Sequence, residues 1–186
     1  MSKENNKYKI DEHSHRFAVW TAARAATRGM KGGTTNNVEE TIESSRLRTL
    51  IDSPKEHSPI SDFITYQRVH NQYCDGIIKH FKSIKDIPNG TCTYGRAAKI
   101  IAIYIKTRIL NTEDHRLMNF AFPPIDSILL ENLAKEYPKL KDLKKVKWTQ
   151  LESGEYNDII ARLNDEWCMK KQKNMWEIED YWNPER

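Results

Sequence analysis

Two lysines and one aspartate are the residues of this chain best suited to chemistry. Lys99 and Lys106 lie seven residues apart in the run Tyr94 to Leu110, so on a helix they share one face with Ile103 and Leu110. Ammonium groups are out of place in so apolar a run. Burial disfavours the charged amine and lowers its pKa, which is how a lysine becomes a nucleophile near neutral pH. The plainer reading is that both side chains snorkel from the rim of the core to solvent. Asp126 follows Phe122-Pro123-Pro124-Ile125, a stiff extended approach that sets its carboxylate at the start of a helix. Free backbone amides and the helix dipole stabilise the anion there. A plain N-cap explains the same aspartate, with Ile125 and Leu130 as a hydrophobic staple, and capping is compatible with catalysis.

The elements that must position these groups are helical. His13 to Arg28 is alanine-rich, without internal Gly or Pro, and meets Gly29, a residue suited to a left-handed cap. A loop at Gly32 to Asn37 leads to a second helix from about Val38 to Ile51, and a third spans Ile60 to Phe81, with Gly76 as a possible kink. Ile87-Pro88-Asn89-Gly90 breaks the chain before the apolar segment Tyr94 to Leu110. That segment is apolar nearly all round, which marks a central helix wrapped by the others. Its isoleucines also suit a strand, but it is too long and lacks a period of two. Asp126 to Tyr137, a helix capped by Thr149 and running to Leu163, and Met175 to Trp182 complete the series. The expectation is an all-α fold: one compact orthogonal bundle of about seven helices around 94–110. Residues 1–12 read as a flexible N-terminal segment and 13–186 as a single α-helical domain.

Length and composition agree. A chain of 186 residues can bury about 70% of its unfolded surface in one core, and five Trp, eight Tyr and five Phe separate it from disordered chains despite a mean hydropathy of -0.77. Cys74, Cys92 and Cys168 are widely spaced, without a CxxC pair, so neither a disulfide framework nor a zinc site is expected. The histidines show no metal-binding spacing, and no phosphate-loop, dinucleotide or GxSxG motif is present. A helical ribonuclease pattern built on Arg108 and His115 fails because Ile109, not a polar residue, follows the arginine. No apolar run reaches the roughly 18 residues of a membrane span and the N-terminus has no apolar signal core, so a cytoplasmic protein without membrane contact is expected. A net charge of +4 permits a polyanionic partner without demanding one.

Taken together, the glycine-containing turn Ile87 to Gly95, the lysine on the helix that follows, and a capping aspartate after a Pro-Ile lead resemble the helix-hairpin-helix DNA glycosylase superfamily. The run Lys99-Ile100-Ile101-Ala102-Ile103-Tyr104-Ile105-Lys106 is most similar to that of its archaeal oxoguanine glycosylase members. The resemblance covers about 45 residues, Ile87 to Leu130. It implies a hairpin with Gly90 and Gly95 gripping a DNA phosphate, Lys99 attacking the sugar carbon of an extruded nucleotide, and Asp126 stabilising the positive charge that develops there. No metal or small-molecule cofactor is implied.

Further residues are candidates for the DNA surface. Trp20, Tyr94, Tyr104 and Trp148 are the aromatics available to stack on a flipped base, although such residues are commonly core anchors. Trp20, Arg24 and Arg28 form a ridge at four-residue spacing, suited to phosphate or to Glu39, Glu40 and Glu43 within the fold. Arg96 and Lys106 flank the lysine, and Lys144 and Lys145 belong to a basic stretch, Lys139 to Lys147, able to track a phosphate backbone or simply to be solvated. Two functions follow: a lysine-dependent base-excision glycosylase or lyase acting on DNA, or a non-enzymatic helical module that binds a protein partner, with or without nucleic acid.

Overall fold

The computed structural model describes residues 9–52, 60–109 and 117–184. Its axis is the helix Tyr94–Ile109, buried on almost every side from Tyr94 and Ala97 through Ile100, Ile101, Tyr104 and Ile105 to Ile109. In chain order the α-helices of eight or more residues are α1 (Ile10–Ala26), α2 (Thr35–Ser44), α3 (Phe63–Ser83), α4 (Tyr94–Ile109), α5 (Ser127–Glu136) and α6 (Ser153–Leu163), with shorter helical turns between them. No strand occurs among the described residues, and the fold is all-α. None of their helices is long and apolar enough to cross a membrane.

Helix α1 packs most extensively on α4. Its buried face, His15, Ala18, Val19, Ala22, Ala23 and Ala26, is mostly alanine, small side chains that let the two helices pack extensively. The helix begins at Ile10, earlier than the expected His13, and stops at Ala26, before the expected Arg28. Thr27 ends it, its hydroxyl lying 2.7 Å from the carbonyl oxygens of both Ala23 and Gly33, one of which takes its proton.

The expected helix from Val38 to Ile51 is two helices. Thr34 caps α2 by accepting from Asn37 N, three residues earlier than expected. Ser44 and Ser45 turn their hydroxyls back onto the carbonyls of Thr41 and Ile42, and Arg46 then takes φ 61°, which ends the helix before the short turn Leu47–Asp52. Helix α3 runs unbroken through Gly76; Asp62 caps it, accepting from Thr65 N at 2.7 Å.

Thr149 does not cap α6. It lies in a separate 3₁₀ turn, Trp148–Gln150, and Glu152 caps the helix in a reciprocal box with Glu155. Pro138–Lys145 is a 3₁₀ segment whose lysines are exposed while Leu140 and Leu143 pin it to the core, and Met175–Tyr181 is a 3₁₀ segment rather than an α-helix, held by Met175 and Ile178.

Candidate active site

The site begins at the N-terminus of α4, where the Thr93 hydroxyl donates to the carbonyl of Thr149 at 2.8 Å and Gly95 N–H donates to the carbonyl of Leu151 at 3.1 Å. These two bonds clamp the Trp148 turn onto the helix. A Cβ at position 95 would collide with the Trp148 carbonyl, so only glycine permits the approach. The clamp sets the Trp148 ring against Lys99, whose Nζ stands 4.2 Å from the ring centroid.

Asp126 arrives from the opposite side. Its extended backbone (φ -148°, ψ 176°) places it at the N-cap of α5, where Oδ1 accepts from Leu129 N at 3.0 Å. Oδ2 accepts from Lys99 Nζ at 3.0 Å and from the Trp182 indole N–H at 2.8 Å. Ile125 and Leu130 are buried on either side of the cap, as a staple requires. The lysine and aspartate side chains are only 8% and 12% exposed, so the ion pair is held largely away from water. Burial pulls the Lys99 amine below its ordinary pKa, and the charge of Asp126 opposes that pull.

A second pair lies along the same helix face. Lys106 is ion-paired to Glu179 of the Met175–Tyr181 segment, and burial pushes the Glu179 carboxyl up while Lys106 holds it down. The two lysines of this face, Lys99 buried and Lys106 half-exposed, therefore each meet a carboxylate. Glu179 and Trp182 were not among the residues singled out from sequence, because their segment has the pattern of a plain amphipathic helix. The signal was the second lysine on the same face, within reach of a carboxylate from a segment packed against it; Glu179 is the more buried partner. Leu110, expected on this face, lies outside the described residues, as do His57 and His115.

Chemically, the arrangement supplies a desolvated amine within hydrogen-bond reach of a carboxylate fixed by a helix N-terminus, walled by two indoles. Among the described residues no three His, Cys, Asp or Glu side chains are grouped to hold a metal.

The other candidates are dispersed. Arg96 donates to the carbonyls of Ala26 at 2.7 Å and Arg28 at 3.2 Å, closing the C-terminus of α1 while its guanidinium stands 5.9 Å from the Trp148 ring. Gly90 takes φ 80° in the loop before α4, whereas the Gly95 amide is already engaged by Leu151, so the two glycines do not form one anion-gripping turn. Tyr94 and Tyr104 are buried, the first donating to Asn71 at 2.6 Å and the second bonded to His15 Nδ1 at 2.8 Å, and neither presents a ring face to solvent. Trp20 is 52% exposed. Arg24 and Arg28 are exposed and do not pair with Glu39, Glu40 or Glu43; His15 and Arg48 face Glu43 instead. Lys144 and Lys145 are exposed, but their neighbours Lys139 and Arg162 are held by Glu166 and Asp142. Searches with family models, curated proteins and solved structures found nothing that matches this chain.

Proposed function

We propose that the chain is a lysine-dependent base-excision protein acting on DNA, with Lys99 as the nucleophile and Asp126 as the carboxylate that steadies the charge on the sugar. The observation that carries this reading is the desolvated Lys99–Asp126 pair at 3.0 Å. Burial brings the amine nearer to its neutral, nucleophilic form, while the adjacent carboxylate, which opposes that shift, stays charged to face the sugar. With an abasic sugar the balance is simple. The amine adds to the open-chain aldehyde, water leaves, and an imine joins protein to DNA.

Borohydride tests it, because hydride reduces that imine to a stable amine. An abasic duplex incubated with the protein should yield a covalent adduct that disappears in Lys99→Gln and persists in the surface control Lys82→Gln. Circular dichroism of Lys99→Gln checks that the helices remain. No adduct with the wild-type chain overturns the reading.

A second reading is favoured by the completeness of the hydrogen bonding at Asp126, whose oxygens accept from Leu129 N, Lys99 Nζ and Trp182 Nε1. In that reading the pair ties α4, α5 and the closing segment together in a helical interaction module. Its signature is a Lys99→Met chain that unfolds at lower denaturant while no adduct forms with any abasic substrate.

A further inference from the structure

Helix α1 turns a second face outward. Arg16, Phe17, Trp20 and Arg24 recur at the three- and four-residue spacing of a single stripe, and all four are exposed. The rings of Phe17 and Trp20, 51% and 52% exposed, stack with centroids 6.1 Å apart and planes at 25°. Scattered exposed apolar residues are ordinary, but a stacked aromatic pair continued by Arg24 is a patch; Arg16, on its other side, is ion-paired to Glu12 at 3.1 Å.

Where the stripe meets the turn after α1, a cleft of about 770 Å³ opens between Arg24, Arg28, Thr27, Gly33 and Thr34. Among the described residues no carboxylate lines it. Arg24 and Arg28 have no ion-pair or hydrogen-bond partner for their guanidinium groups among the described residues. Two unpaired forks at the mouth of an acid-free cleft suit phosphate groups.

We propose that this face binds a single strand of nucleic acid, its phosphates on Arg24 and Arg28 and its bases on the Phe17–Trp20 pair. Charge complementarity selects an anionic occupant, and the exposed ring faces select one with planar groups of its own. An acidic peptide satisfies the arginines but leaves the aromatic pair uncovered. The surface also leads toward the buried amine. Arg96 bonds the Ala26 and Arg28 carbonyls at the rim of the cleft and stands 5.9 Å from Trp148, whose ring is 4.2 Å from Lys99 Nζ. The proposal deepens the excision reading and rests on it only for what happens to the strand once bound.

The test is fluorescence anisotropy of the full chain with a labelled oligothymidine of about 15 nucleotides, a length within the usual range of single-strand sites. Arg24→Gln/Arg28→Gln should weaken binding about tenfold or more at low salt and flatten the slope of log K against log salt by about 1.4, two phosphates' worth. Trp20→Ala should weaken it between about 5-fold and 100-fold through lost stacking. All three side chains are exposed, so the fold should persist. Lys144→Gln/Lys145→Gln, exposed and away from this face, should bind as the wild type does. Binding that is absent, or unmoved by the α1 variants, overturns the proposal. So does a poly-glutamate peptide competing as well as the oligonucleotide, which points to an acidic protein partner, or a duplex competing equally, which removes the stacking role. If the strand binds but no borohydride adduct forms, the excision reading fails and this surface stands.

Discussion

Lys99 and Asp126 stabilise the fold only as a pair. Truncating one member leaves the other charged, buried and unanswered, a situation that costs about 3–5 kcal/mol, whereas replacing both with neutral groups of similar shape costs far less. Asp126→Ala should therefore lower the urea midpoint sharply, and Lys99→Met/Asp126→Ala should recover part of the loss; equal damage in both variants would show that the N-cap, not the ion pair, dominates. His70 carries a separate prediction. It is fully buried, stacked on Tyr156 with centroids 5.5 Å apart, and burial depresses its pKa to about 3. The unfolded chain takes up a proton near pH 6.5 while the folded chain does not, so stability present above that pH is lost as the pH falls toward 3, by about 1.4 kcal/mol per pH unit. A pH series of denaturation midpoints should show this slope, and His70→Phe should flatten it.

Among the elements, α4 was legible because a helix apolar on all sides has one place to go, and its lysine face pointed to a buried charge. The cap at Asp126 was legible for a local reason: a Pro-Pro-Ile approach leaves the aspartate little freedom. Boundaries set by tertiary contact were not. The break at Arg46 depends on serine hydroxyls choosing backbone carbonyls, and the start of α6 at Glu152 depends on α4 having already claimed the Trp148 turn. Glycine 95 likewise read as part of a hairpin, when its bare α-carbon serves the crossing of that turn over α4. Gly95→Ala should accordingly destabilise the protein by about 1–3 kcal/mol through overpacking and shift Trp148 fluorescence, while Gly154→Ala, where a Cβ meets nothing, should be neutral or mildly stabilising.

At the scale of the whole molecule, charge is local while the core is shared. Among the described residues Arg24 and Arg28 have no counter-charge, whereas Glu12, Glu43 and Asp52 gather on Arg48 to join α1, α2 and the Leu47–Asp52 turn. The three thiols report on the core as a unit. Cys74, Cys92 and Cys168 are all buried, and burial pushes Cys92 and Cys168 up to about 12. A thiol-directed disulfide reagent at pH 8 should leave the native protein unmodified and label all three cysteines at the rate of global unfolding. Faster labelling of Cys92 alone would reveal a separate opening of the loop before α4.

Trp182 bears on access to the pair. Its indole is 44% exposed yet hydrogen-bonded at 2.8 Å to the same carboxylate oxygen that holds the Lys99 amine. On the excision reading proposed above, a molecule that reaches that amine competes with this indole for Asp126, so its binding should be accompanied by a change in tryptophan emission that is lost in Trp182→Phe.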